Sequence, residues 1–446
     1  MAGKKKQAQL TPEEKLQQAL VPEAEQPYKV PANWCWTKLG NVCRFESGFA
    51  FKSDYFNKVN GIPVVRISDI KENEVILHNC IFTTELNIDE KFIIRNGDLL
   101  IAMSGATTGK NGIFKSDKIA YLNQRVGNIK VINNNVIKEL YRNYYIMNKS
   151  EEILKAAYGG AQPNISSSKI SSMFFPLPPL AEQQRIVERI ESLFAKLDEA
   201  KENLQNVLDG FEPRKAAILH KAFTGELTVN WRKQHGVSME SWEMCEFNQI
   251  ADIKTNLVNP IDFQSYPHIA PDNIEKKTGK LLYYNSVAED NVKSGKHRFY
   301  AGQILYSKIR PYLSKVIIAE FDGLCSADMY PIEAKVNTRF LWYYMLSEHF
   351  VYQASTAGSR TVLPKINQKE LSKLKINMPT LSEQTEIVRI IDDLLAKEQQ
   401  AKELAENALA KVDLIKKAIL ARSFRGELGT NNLADEPAVE LLKRML

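Results

Sequence analysis

The chain has 446 residues, 44% hydrophobic and 25% charged, enough apolar material for roughly three domains of ordinary size and unlike a disordered or fibrous sequence. Lysines and arginines number 59 against 53 aspartates and glutamates, a formal charge of +6 that suits a polyanionic partner without requiring one. The five cysteines (Cys35, Cys43, Cys80, Cys245, Cys325) are odd in number and form no C-x-x-C pair, and the six histidines form no H-E-x-x-H pattern, so a disulfide framework, a zinc ribbon and a metal site are all excluded as expectations.

From the N-terminus, Lys4-Lys5-Lys6 opens like the basic end of an export signal, but Gln7, Gln9, Thr11 and Glu13 follow in place of an apolar region. No apolar run approaches the ~18–20 residues of a bilayer span. Reduced thiols and no leader predict a cytoplasmic protein without a membrane partner. An arm over 1–29 precedes a globule over 30–176, in which short strand-like runs alternate with turns. A helical region, 177–228, separates it from a second globule, 229–377. A second helical region, 378–428, and a tail, 429–446, complete the chain.

The two helical regions are copies. Leu180-Ala181-Glu182-Gln183 recurs as Leu381-Ser382-Glu383-Gln384, Ile186-Val187 as Ile387-Val388, and Phe223-Thr224-Gly225-Glu226-Leu227 as Phe424-Arg425-Gly426-Glu427-Leu428, all at one offset of 201 positions. In the first copy Ile186, Ile190, Leu193, Leu197, Ala200, Leu204, Val207 and Phe211 follow a 4-3-4-3 spacing, the seam of a coiled coil. Pro178 and Pro179 hold the entry extended; Pro213 predicts a break, with a short helix from Lys215 to Phe223 ended by Gly225. The second copy starts with Thr380 and Glu383 at capping-box spacing. Its seam, Ile387, Ile391, Leu394, Ala401, Ala405, Ala408 and Val412, is weaker, with Glu398 standing where the first copy has Leu197. The globules share only outlines: Trp34, Leu39 and Val42 parallel Trp242, Phe247 and Ile250, and a glycine precedes an apolar run at Gly97 and Gly302. The fold class expected is α+β, with two globules separated by two long helices packed as an antiparallel coiled coil, in an internal pseudo-two-fold repeat.

This layout resembles the specificity (S) subunits of type I restriction-modification systems. The likeness is carried by Pro178-Pro179-Leu180-Ala181-Glu182-Gln183, by the two Phe-x-Gly-Glu-Leu endings, by Asp98 to Lys110 and by Ser307 to Leu313, and it covers nearly everything from Tyr28 onward. Pro379-Thr380 departs from the double proline of the first copy. The resemblance implies two target recognition domains, each reading one half of an asymmetric, bipartite double-stranded DNA site. It implies a helical spacer that holds two methyltransferase (M) subunits and through them the motor-nuclease (R) subunits. No cofactor is expected on this chain; S-adenosylmethionine would belong to M, and ATP and magnesium to R. A helix of about 30 residues is ~45 Å long, comparable to the ~34–36 Å between half-sites read from one face of DNA. A non-catalytic scaffold that reads no sequence is the competing function, and salt-sensitive, sequence-dependent DNA binding separates the two.

Enzymatic motifs fail one by one. Gly105 to Lys110 imitates a phosphate-binding loop, but Ser104 stands where glycine is required and Asn111 where Ser or Thr is. Asp272 and Glu275 are too close together for a nuclease core. The Asn/Asp-Pro-Pro-Tyr grip of amine methyltransferases, which act on a flipped base, is missing from the sequence. Candidate DNA contacts are Ser104, Thr107, Thr108 and Lys110 as phosphate donors on a glycine loop. Asn123, Gln124 and Arg125 are candidate readers of adenine and guanine edges. In the second globule Lys308, Arg310, Tyr312 and Lys315 lie close together, and alternation is expected to put several of them on one strand face as a basic, aromatic patch, with Gln162 and Arg360 on matching loops. The helix and subunit interface is assigned to Ile186, Ile190, Leu193, Leu197, Leu204, Ile387, Ile391 and Leu394. If the chain is a tandem fusion, 1–229 is expected to form one half that dimerises, its helix pairing antiparallel with that of a second copy about a two-fold axis, and with M to methylate an interrupted palindrome, while in the full chain Asp435 to Leu446 is expected to brace the arm near Leu16 and Leu20.

Overall fold

Each globule begins and ends in a two-stranded antiparallel ribbon that ties its first strand to its last. Cys35–Lys38 pairs with Phe174–Leu177 in the first, and Glu243–Glu246 with Lys375–Met378 in the second. The structure, a computed structural model, describes residues 11–71, 73–85, 88–158, 163–357 and 364–446. It divides into two units: Met1–Glu202 with Leu409–Leu446, and Asn203–Ala408.

In the first unit a six-stranded sheet runs Cys43–Ser47, Val126–Val131, Leu99–Ala102, Asn111–Ile113, Asn73–Val75, Ile70–Lys71, and a five-stranded sheet is centred on Ile62–Val65 and Ala120–Leu122. The second unit repeats this plan in reduced form. Its four-stranded sheet runs Ala251–Ile253, Met329–Ala334, Ile304–Ser307, Val316–Ile318, and its five-stranded sheet is centred on Gly323–Cys325. The glycine-led apolar runs are thus the same strand twice: Leu99 lies opposite Ile129, and Ile304 opposite Ile332. Both faces of these strands are buried, which is why they read as continuous apolar runs rather than alternations.

The repeat forms helices α1 (Leu180–Asp209), α2 (Phe211–Phe223) and α3 (Leu381–Ser423). The short helix expected from Lys215 starts instead at Phe211, with the break at Gly210. Pro213 causes it from a distance: it has no N–H for the carbonyl of Asp209, and its ring crowds that carbonyl. Within the first turn of α2 the missing donor costs nothing. The matching position of α3 is Leu414, and α3 runs unbroken.

Both units show the helices antiparallel. In the first, Lys416 Nζ donates to Asp198 at 2.5 Å and lies over the Phe194 ring, while Arg185 Nε donates to the Thr430 carbonyl at 2.9 Å. In the second, Lys402 lies over Phe211, and Arg214 Nε donates to Glu398 at 2.7 Å. The charge that weakens the second seam is therefore paired, at the level where the first copy carries Leu197. Burial along the seam is uneven. Ile186, Ile190, Ile387 and Ile391 are fully buried, as are Ala405 and Val412. Leu193, Leu197, Leu204 and Leu394 are half-buried, and Val207 and Ala401 face out.

The repeated Glu-Gln has a structural reason. Glu182 accepts from the Trp34 indole at 2.7 Å and from Asn431 at 2.7 Å; Glu383 accepts from the Trp242 indole at 2.9 Å and from Arg232 and Thr228 at 2.6 Å. Burial pushes the Glu182 carboxyl up, against the pull of those donors. Thr380 does cap Glu383 N–H at 3.4 Å, but the Glu383 carboxylate turns inward, so the expected reciprocal box does not form. The glutamines latch the same helix starts: Gln183 accepts from Lys138 N–H at 2.8 Å, and Gln384 from Asn337 N–H at 3.0 Å.

The repeat endings are placed crosswise. Phe424, at the end of α3, is buried in the first unit between Tyr141 and Tyr145; Phe223, at the end of α2, packs in the second against Phe340 and Tyr344. Gly225 and Gly426 have φ of 81° and 74°, and a Cβ on Gly426 would fall within 2.6 Å of the Pro31 ring. Leu420, Phe424, Ala438, Leu441 and Leu442 belong to the first unit's core alongside Trp34, Ile186 and Ile190. A fragment 1–229 lacks these residues, so the expected two-fold pairing of such halves would require the equivalent ending, Phe223 to Leu227, of a second copy to complete each core. The brace between tail and arm is present: Leu16 and Leu20 pack on the same core, and Lys15 Nζ donates to the Leu446 carbonyl at 2.8 Å.

Candidate nucleic-acid interface

The polar residues singled out in the two globules fall on equivalent connections. In the first unit the loop between Leu99–Ala102 and Asn111–Ile113 meets two others: Met103 N–H donates to the Arg125 carbonyl at 2.9 Å, Ile165 N–H to Met103 at 2.9 Å, and Ser104 bridges to Asn164. In the second unit Lys308 N–H donates to Asp328 at 3.0 Å, Ile366 N–H to Lys308 at 3.0 Å, and Ile309 bridges to Lys365. Each unit thus gathers three connections at one end of its central strand. Gln162 and Arg360 lie outside the described residues.

Side-chain placement separates the candidates. Lys110, Gln124 and Arg125 are exposed, and Asn123 is half-buried, turning the chain by accepting Arg125 N–H. Thr108 is not offered to a phosphate: it is buried, and its hydroxyl donates to the Gly105 carbonyl at 2.7 Å. The hydroxyls of Ser104 and Thr107 are also turned in, without a hydrogen-bond partner among the described residues. Gly105 and Gly109, with φ of 81° and 85°, let the loop fold over these groups. The loop geometry makes Thr108 a clamp, so Thr108→Val should cost about 1–3 kcal/mol of local stability. Hydrogen exchange over residues 103–110 should accelerate in that variant.

In the second unit the expected strand face is not formed. The strand ends at Ser307; Arg310 and Ser314, with φ of 50° and 45°, turn the chain through a 3-10 turn at Pro311–Leu313 before the next strand starts at Val316. Alternation therefore does not apply to Lys308, Arg310, Tyr312 and Lys315. Lys315 points inward, its ammonium donating to the Pro271 carbonyl at 2.7 Å beside Asp272. Lys308 is half-buried over the Tyr330 ring and donates to Ala327; burial, then the neighbouring Lys365, lowers its pKa. Arg310 and Tyr312 are exposed. The sequence reading passed over Asp328 and Lys365, which form an ion pair at 3.5 Å on these connections. The matched order of strands and loops around Arg125 would have pointed to them.

The family model described as "Type I restriction modification DNA specificity domain" matches twice, over residues 31–209 and 239–407. The chain belongs to the type I restriction-modification DNA specificity family. The specificity subunit of the type I restriction enzyme EcoDI of Escherichia coli is 39% identical over 323 residues, spanning 68% of this chain and 73% of that protein. The EcoBI specificity subunit of the same species is 26% identical, spanning 91% and 88%. The fold of this specificity subunit is that of the HsdS subunit from Thermoanaerobacter tengcongensis, with a TM-score of 0.63 at 18% identity over 91% of this chain and 100% of the other. Each specificity domain ends in the helix that carries the Glu-Gln latch, so the twofold match coincides with the repeat. Among the described residues no helix is long and apolar enough to cross a membrane.

Proposed function

We propose that the chain reads a bipartite, asymmetric double-stranded DNA target, one half with each unit, and carries no catalytic site of its own. The supporting observation is that three equivalent connections meet in each unit on matching backbone hydrogen bonds while their side chains differ, Arg125 facing its solvent where the other unit has Asp328. A shared frame with unlike side chains suits two different half-sites. Lys110, Gln124, Arg125, Arg310 and Tyr312 are the contacts best presented for this role. Asn123, Lys308 and Lys315 shape the connections, and Ser104, Thr107 and Thr108 build the loop. The helices α1 to α3, with their half-covered Leu193, Leu197, Leu204 and Leu394, hold two M subunits and through them the R subunits. S-adenosylmethionine is carried by M, and ATP and magnesium by R; the complex works in the cytoplasm.

Arg310→Ala tests the assignment. It should weaken specific duplex binding by roughly 1–3 kcal/mol and relax methylation at one position of one half-site, leaving the other half unchanged. Methylation mapping in cells that carry the M partner reads this directly. Simultaneous change in both halves would overturn the division of labour between the units. Binding that neither falls with salt nor distinguishes sequences would leave the scaffold without reading.

A further inference from the structure

In the second unit a groove of about 400 Å³ opens between α2, the helix Glu348–Thr356 and the ribbon Glu243–Glu246/Lys375–Met378. Its walls include Phe223, Thr224, Met244 and Tyr344. The first unit has the same walls in Phe424, Arg425, Trp36 and Tyr145, by the repeated Phe-x-Gly-Glu-Leu ending and by ribbon register, Trp36 facing Pro176 as Met244 faces Asn377. There the space is filled. The arm pairs with the ribbon at two residues, Val21 N–H donating to the Trp36 carbonyl at 2.9 Å and Leu20 bridging to Thr37, and then turns through a 3-10 helix at Glu23–Glu25. Tyr28 then drops in, its ring 4.8 Å from Trp36 and 5.5 Å below the Arg425 guanidinium, while its carbonyl accepts from the Trp36 indole at 3.2 Å. Covered in this way, Trp36 is 2% exposed, whereas Met244 is 64% exposed.

The second unit cannot supply an arm of its own. The residues before Trp242 form the helix Val229–His235, held by the Arg232–Glu383 ion pair. The open ribbon edge at Met244 and the adaptable methionine wall are then what a segment from another chain needs: backbone donors and acceptors for an added strand, and a socket for an aromatic ring.

We propose that this groove receives an aromatic-bearing segment of an M subunit, seated as Leu20, Val21 and Tyr28 are seated in the first unit. M is the occupant because Ala216, Leu219 and His220 of α2 form one wall, and α2 is among the helices assigned above to hold M, so the groove continues that surface. The inference rests on that reading. Leu219, Phe223 and Met244 make the walls apolar, with Lys375 and Glu348 of opposite charge at the margin, a lining better suited to a protein segment than to a phosphate backbone.

The test uses the full chain with purified M. Met244→Cys carrying an environment-sensitive fluorophore should shift to the blue when M is added, and a photo-cross-linker at position 244 should capture an M segment containing an aromatic residue. Met244→Glu, at an exposed site that leaves the core untouched, should weaken association with M about tenfold. A label that stays solvent-exposed in the assembled complex, with M bound equally well by Met244→Glu, overturns the proposal. So does a cross-link to a second copy of this chain or to R. Failure of M to associate with the unmodified chain at all would instead overturn the M assignment under the proposed function.

Discussion

Replacing Glu383 by alanine is expected to destabilise the second unit by about 3–5 kcal/mol, because it leaves Arg232 charged, buried and unpaired. The Trp242 indole and the Thr228 hydroxyl lose their acceptor in the same step. Glu383→Gln should cost less, since an amide oxygen still accepts from two of the three donors. Glu182→Ala is a sharp comparison: the same repeat position in the first unit holds Trp34 and Asn431, both neutral, so no unpaired cation is left and the loss should be smaller. Limited proteolysis and hydrogen exchange are the right measurements, because a chain of two units need not unfold in one step. Equal protection of the second unit in wild type and Glu383→Ala would refute the anchoring role.

Phe424→Ala should destabilise the first unit by about 3–5 kcal/mol, although residue 424 follows the whole second globule in sequence. Its ring is fully buried, with edge contacts at 5.3 Å and 5.2 Å from Tyr141 and Tyr145. Phe223→Ala should do the converse, loosening the second unit through Phe340 and Tyr344. Exchange protection read separately over 99–131 and 304–334 distinguishes the outcomes. If Phe424→Ala loosens the second sheet and spares the first, the crosswise placement is wrong.

The repeat and the helices were legible because a fixed offset and a 4-3-4-3 spacing are properties of the sequence itself. Glu182 and Glu383 were visible as marks of helix starts, but not as tryptophan acceptors, for each donor lies some 140 residues or more away along the chain. The site was less legible. Alternation failed from Lys308 to Lys315 because Arg310 and Ser314 take the left-handed conformation, which neither residue type advertises. Thr107 and Thr108 read as surface donors because hydroxyl residues are mostly exposed; the glycine-hinged loop turns them inward. The crosswise endings were hidden for a different reason: a sequence repeat records which segments are alike, not which globule each one completes.

That placement sets an order of maturation. The second unit is one uninterrupted stretch, 203–408, and every residue of its core is available soon after the ribosome passes Met378 and Ile391. The first unit emerges earlier yet waits for Leu420, Phe424 and Leu442. At the usual 5–20 residues per second, the roughly 240 residues from Glu202 to Leu442 take about 10–50 s to synthesise. Throughout that interval Tyr141 and Tyr145 lack the Phe424 ring that completes their packing, so the N-terminal unit, although made first, is the last to become native.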